Sequence, residues 1–126
     1  MDINNTSIPE SDNDEGLIKN GRNALIVRCQ RCQSSIIRPG KAVYVLKQHF
    51  LPYMKPKTDS NDPAGGEVIP KFWQVDDIYE FENVGFSNTV GSTKYLTCAD
   101  CEIGPIGIHD TSSKISYVAL DRVKYQ

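Results

Sequence analysis

Cys29-Gln30-Arg31-Cys32 and Cys98-Ala99-Asp100-Cys101 hold all four cysteines of the chain, as two C-x-x-C knuckles separated by residues 33–97. Tetrahedral zinc takes four soft donors, and a two-residue spacer lets one tight turn present two thiolates to a single ion. Two such turns complete a closed site with no position left for water, so the metal implied is one structural Zn2+, not a catalytic one. Structural zinc contributes on the order of 10 kcal/mol of folding free energy. Two rival readings remain open at this point. A pair of disulfides requires an oxidising compartment, and a dithiol redox site needs only one of the two motifs.

The chain of 126 residues has the size of a single domain with one core. Hydrophobic residues make up 39% and charged residues 24%, the balance of a soluble globular protein. No apolar run of about 18 residues occurs, and the first residues are acidic and Asn-rich instead of basic then apolar. The expectation is therefore a cytoplasmic monomer without membrane insertion, and the sequons at Asn4 and Asn5 carry little meaning. A reducing cytosol also favours thiolates over disulfides.

The net charge of −2 hides a segregation. Arg28, Arg31, Arg38, Lys41, Lys47, Lys55 and Lys57 fall in an acid-free stretch, whereas the region from Asp59 to Glu102 is rich in acids. Such asymmetry suits a charged surface facing a partner, and equally suits two segments that neutralise each other across a sheet.

Residues 1–22 carry Asp2, Glu10, Asp12, Asp14 and Glu15 with almost nothing to bury, and read as a disordered acidic tail ahead of one β domain over 23–126. Structure is expected from Ala24, with strands over Ser34–Arg38 and Ala42–Leu46 around a turn at Pro39-Gly40. Residues 55–70 shift to Lys, Pro, Asp, Asn and Gly and read as a mobile loop. Phe72-Trp73-Gln74-Val75 restarts the apolar pattern, with Trp73 expected in the core. Glu102 to Gly107 leaves the second knuckle as a constrained turn. Ile115 to Val123 reads as a last strand, with Ile115, Tyr117, Ala119 and Val123 on one face. No segment longer than ten residues has a helical period, so the fold class is mainly β around one four-cysteine zinc site.

Enzymatic chemistry is not expected. With four thiols given to metal, no cysteine remains as a nucleophile, and His49 and His109 sit in no recognisable triad or metal motif. Gly104-Pro105-Ile106-Gly107 has neither the lysine nor the spacing of a phosphate-cradling loop. The informative constellation is Asp77-Ile78-Tyr79-Glu80-Phe81-Glu82-Asn83-Val84-Gly85-Phe86, where acids and large apolar residues interleave most closely. Read as an exposed strand, it is either a solvated face or a binding surface with aromatic anchors ringed by acids, to which Asp100 and Glu102 would add carboxylates.

The segments Asp77 to Phe86 and Cys98 to Gly107 closely resemble the signatures of the Mss/Dss family of Rab-interacting factors. The resemblance extends to Cys29–Cys32, Phe50-Leu51-Pro52, Phe72-Trp73 and Tyr117-Val118-Ala119-Leu120, and covers about Ala24 to Val123. It implies coiled β-sheets around one zinc, and a role as guanine-nucleotide exchange factor or holdase for nucleotide-free Rab GTPases of the secretory pathway. It also implies partner-binding roles for Asp77, Ile78, Phe81, Glu82, Asn83, Val84, Phe86, Asp100 and Glu102. One departure is Gln33, where the family has glycine, which makes a positive φ there costly.

The runner-up is a nucleic-acid-binding zinc ribbon using Arg28, Arg31, Arg38 and Lys41, opposed by a pI near 5.6 and an over-long spacer. A sulfoxide reductase on a related scaffold would need a further catalytic cysteine, which this chain lacks.

Overall fold

The computed structural model describes residues 15–56, 65–87 and 89–126. Thirteen strands are present among them: β1 (Ile18–Lys19), β2 (Arg22–Asn23), β3 (Val27–Cys29), β4 (Ser35–Ile37), β5 (Val43–Pro52), β6 (Lys55–Pro56), β7 (Gly66–Val75), β8 (Val84–Phe86), β9 (Thr93–Cys98), β10 (Ile103–Gly104), β11 (Gly107–Asp110), β12 (Ile115–Ala119) and β13 (Val123–Tyr125). An eight-stranded sheet runs in the order β1-β2-β5-β7-β12-β11-β9-β8, a three-stranded sheet in the order β13-β3-β4, and β10 pairs with β6. The fold is mainly β, as the aperiodic sequence requires.

Burial explains how the sheets meet. Trp73 and Val75 of β7, Val118 of β12 and Leu96 of β9 are fully buried against Val27, Ile36 and Ile37 of the small sheet. Trp73 sits at the centre as expected, with Tyr44 and Tyr125 edge-on at ring separations of 6.0 and 6.2 Å. Its indole N–H donates to the Tyr125 hydroxyl (2.9 Å), which donates in turn to the Leu120 carbonyl (2.9 Å), so the ring is buried without an orphaned donor. A second cluster, Leu51, Ile69, Phe72, Ile108 and Ala119, lies under the long β5–β7 hairpin. At Gly107 a Cβ would fall 2.0 Å from the Tyr117 carbonyl oxygen, so no larger residue fits where β11 crosses β12.

Four sequence expectations change. The ordered chain reaches upstream of Ala24, because Asn20 and Gly21 both take positive φ (56° and 78°) and turn β1 onto β2 as a tight hairpin. Residues 1–14 of the expected tail lie outside the described residues. The expected loop over 55–70 is in part β6 and β7, with 66–69 paired to β5; residues 57–64 lie outside the described residues. Pro39-Gly40 does not close a hairpin: β4 and β5 belong to different sheets. The crossover is pinned by buried Asn23, whose side chain donates to Leu25 O (3.0 Å) and Arg38 O (2.9 Å) and accepts from Ala42 N (3.0 Å). Finally, the last strand ends at Ala119. A 3₁₀ turn over Leu120–Arg122 then carries the chain to the other sheet, where Val123 pairs with Cys29. Of the expected row, Ala119 and Val123 are buried while Ile115 and Tyr117 are half-buried, and Ser116 and Val118 of the other face are fully buried.

Arg122 ties this crossover to the hairpin. Its guanidinium is buried at 4% exposure and donates to Pro52 O (2.6 Å), Pro105 O (2.8 Å) and Leu51 O (3.4 Å), with Glu67 at 3.3 Å. The carbonyls are the stronger constraint, since half-exposed Glu67 is screened by water. Arg122→Leu should lower unfolding free energy by on the order of 3 kcal/mol by orphaning buried carbonyls, while Glu67→Gln should cost less than about 1 kcal/mol. Urea melts of the two variants distinguish them; equal losses would show that the ion pair, and not the carbonyl contacts, holds the hairpin.

Candidate metal clamp and partner surface

Each knuckle is a turn that ends in a left-handed residue. Gln33 (φ 66°) donates its amide to Cys29 O at 3.0 Å, and Glu102 (φ 63°) donates to Cys98 O at 2.8 Å. The two turns thus share one construction. In the first, the amides of Arg31 and Cys32 also point at the Cys29 sulfur, at 3.3 and 3.5 Å. Gln33 does adopt the conformation that glycine would take without strain.

The turns bring all four sulfurs within 4.8 Å of one another, with Cys29–Cys101 and Cys32–Cys98 at 3.5 Å. A tetrahedron with metal–sulfur bonds of about 2.3 Å has edges of about 3.8 Å, so the donors fit one ion of the zinc class. The separations are far beyond a disulfide bond, and all four cysteines are free. Electrostatics agrees with a need for a cation. Burial pushes the Cys98 thiol up to about 12 and Cys101 upward as well, while hydrogen bonding with Ser34 brings Cys32 down to about 6. Thiolates at the buried positions require positive charge beside them.

The acidic segment is laid against this clamp. Instead of an exposed strand over 77–84, the Asp77 carboxylate accepts from Tyr79 N (2.9 Å) and caps a 3₁₀ turn over Ile78–Glu80. The turn competes successfully because Asp offers the backbone a local partner. The chain then runs beside β4: Phe81 bridges Ile37, Glu82 N donates to Ile36 O (2.8 Å), and Asn83 takes a left-handed φ of 53° before β8. The Asn83 carbonyl accepts from Ala99 N in the second knuckle at 2.7 Å.

The structure therefore gathers Glu82, Asn83 and Val84 beside Asp100, with Val84 paired to Cys98. Phe81 is half-buried against the core, whereas Ile78 (40% exposed) and Phe86 (39%) stand on the surface. Asp100 and Glu102 are exposed, and Asp77 faces an open cleft of about 470 Å³ shared with Asp76, Ile78, Tyr79, Lys94, His109, Thr111 and Lys114. Phe86 meets the His109 ring edge-on at 5.4 Å, which links the cleft to β8. Burial and the nearby Lys94 charge lower the His109 pKa below its ordinary value.

Sequence reasoning left Tyr79, Lys94 and His109 out of this surface. Tyr79 is the most exposed of the large hydrophobic residues described, at 87%, and only the Asp77 cap, an Asx-type signal, foretells that it turns outward. The charge segregation is partly neutralised, since Arg38 and Lys41 both approach Glu80 (3.3 and 3.9 Å) and Arg28 donates to Gln33 O (3.0 Å). Three of the four cations required by a nucleic-acid surface are thereby engaged within the molecule. Gln33→Gly should raise unfolding free energy by about 0.5 kcal/mol by relieving the left-handed turn, and Gln33→Val should lower it by about 1 kcal/mol or more. Chemical denaturation of metal-loaded protein reads both; loss of stability in the glycine variant would contradict the strain.

A family model described as "Mss4 protein" matches residues 22–125. A Drosophila melanogaster protein named guanine nucleotide exchange factor MSS4 homolog is 42% identical over 110 residues, covering 86% of this chain and 90% of that protein. A protein of the same name from Schizosaccharomyces pombe is 30% identical over 90 residues, 71% of this chain and 85% of its own length. With the four-sulfur clamp and the acidic segment in place on a coiled β scaffold, this chain belongs to the Mss4 family.

Proposed function

We propose that this protein is a guanine-nucleotide exchange factor or holdase for Rab GTPases, binding the nucleotide-free form in preference to the loaded one. The observation that carries the reading is the surface formed by Asp77 to Phe86 and the second knuckle. Exposed Ile78, Tyr79 and Phe86 stand there with Glu82, Asp100 and Glu102 on a metal-braced frame. The exchange-factor names of the two relatives support it. The metal of the clamp is one structural zinc, and the protein works as a cytosolic monomer.

The mechanism needs no covalent step. If the empty GTPase is bound more tightly than the nucleotide-bound form, linkage obliges the protein to weaken nucleotide by the same factor. Glu82 and Asp100 offer negative charge to cations that would otherwise hold phosphate, and Ile78, Phe81, Val84 and Phe86 supply apolar contact beside them. Asp77 and Asn83 contribute through backbone shape, one by capping the 3₁₀ turn and the other by its left-handed φ. Electrostatic complementarity of this kind raises association rates and specificity more than bulk affinity.

Two measurements test the reading. Secretory Rab proteins loaded with fluorescent GDP should release it faster when this protein is added with excess free nucleotide, or should form a stable complex when nucleotide is removed; neither effect with any Rab defeats the proposal. Asp100→Lys should weaken the complex at least about tenfold. Elemental analysis should find one zinc per chain, and a strong chelator should abolish both the β-sheet circular dichroism and GTPase binding together, because the metal holds the frame.

A further inference from the structure

Three dipeptides from distant parts of the chain meet beside the clamp: Ser34-Ser35, Glu82-Asn83 and Ala99-Asp100. Four hydrogen bonds close them into a ring. The Ser34 hydroxyl donates to Asp100 Oδ2, and the Ser35 hydroxyl donates to Glu82 Oε1. Asn83 Nδ2 donates to Ser35 O (3.0 Å), and Ala99 N donates to Asn83 O (2.7 Å). Two carboxylates of the proposed interface, Asp100 and Glu82, are therefore held by consecutive hydroxyls of the first knuckle's exit. Ser34 also lies 3.3 Å from the Cys32 sulfur, so the Asp100 anchor is fixed to the clamp itself.

We propose that Ser34 and Ser35 are positioning residues for GTPase recognition: their hydroxyls hold Asp100 and Glu82 at a set spacing to receive cationic groups of the partner. An exposed carboxylate on a free side chain must lose rotamer freedom when it pairs with a cation, and that loss offsets most of the gain at a surface. Here the freedom is already given up within the free protein, so the pairing keeps more of its electrostatic energy. A hydroxyl donor leaves the carboxylate charged, with its other oxygen still able to accept. Asp77, by contrast, bonds within its own segment, to Tyr79 N, and Glu80 is paired with the cations Arg38 and Lys41, so Asp100 and Glu82 are the acids of this surface held by neutral hydroxyls. The inference rests on the proposed GTPase-binding role and specifies the partner chemistry of that same surface.

The test uses zinc-loaded full-length protein and nucleotide-free Rab. Ser34→Ala and Ser35→Ala should each weaken binding about threefold to tenfold, and the double variant more, chiefly through faster dissociation, since neither change removes a charge. Zinc content and melting temperature serve as the control for folding. Ser35→Thr, which keeps the hydroxyl on a strand, should restore binding, a rescue that a merely structural role for the serine volume would not require. If Asp100→Lys and Glu82→Lys lose binding while both alanine variants bind as wild type with unchanged dissociation rates, the positioning role is wrong and the interface stands. If the two lysine variants also bind as wild type, the interface reading itself fails.

Discussion

The constraint on which the structure depends is the meeting of four sulfurs from turns that lie 65 or more residues apart along the chain. Cys29 ends β3 in the small sheet and Cys98 ends β9 in the large one, so an ion held by all four sulfurs would tie one sheet to the other. Closing a loop of that length removes on the order of 4 kcal/mol of unfolded-chain entropy for a covalent link, and a metal link acts in the same sense. The sheets are joined also by burial and polar contacts, through the Trp73–Tyr125 hydrogen bond and, on the crossover that pairs Val123 with Cys29, the Arg122 guanidinium.

The proposed partner surface is built on backbone that ordinary sequences avoid. Gln33, Asn83 and Glu102 all take positive φ, and all three sit at the junction of the knuckles with the acidic segment. Only a rigid surround keeps non-glycine residues there, and each such residue turns a side chain in a direction that regular strand geometry forbids. That concentration of strain marks a place where geometry matters more than stability, in line with a recognition surface.

Much of this was legible in the sequence, and the losses have physical causes. The C-x-x-C spacing carried the metal site because thiol chemistry and turn length leave few alternatives, and the lack of helical period carried the fold class. Trp73 announced the core by its size and apolar flanks. The strand reading of Asp77 to Phe86 held at Val84–Phe86 and failed before it, because alternation was weighed without the Asp77 side chain, which offers Tyr79 N a closer acceptor than any neighbouring strand. The Asn20-Gly21 hairpin was hidden because residues 16–22 were read together with the acidic residues before them, although the dipeptide itself is a strong turn signal. The serine contacts to Asp100 and Glu82 were not readable at all, since a serine after a knuckle looks the same whether its hydroxyl meets water or a carboxylate 47 or 66 residues away.

The division of the clamp between early and late parts of the chain also sets a timetable. During synthesis at roughly 5–20 residues per second, the interval between Cys32 and Cys98 lasts on the order of 3 to 13 seconds. Throughout it the first knuckle exists as an open two-thiol half-site, able to take up a metal loosely, to lose it, or to meet an oxidant before its counterpart arrives. Newborn molecules are therefore the vulnerable population, and the yield of folded protein should follow the redox state and metal supply of the moment of translation more closely than the conditions met by the finished protein.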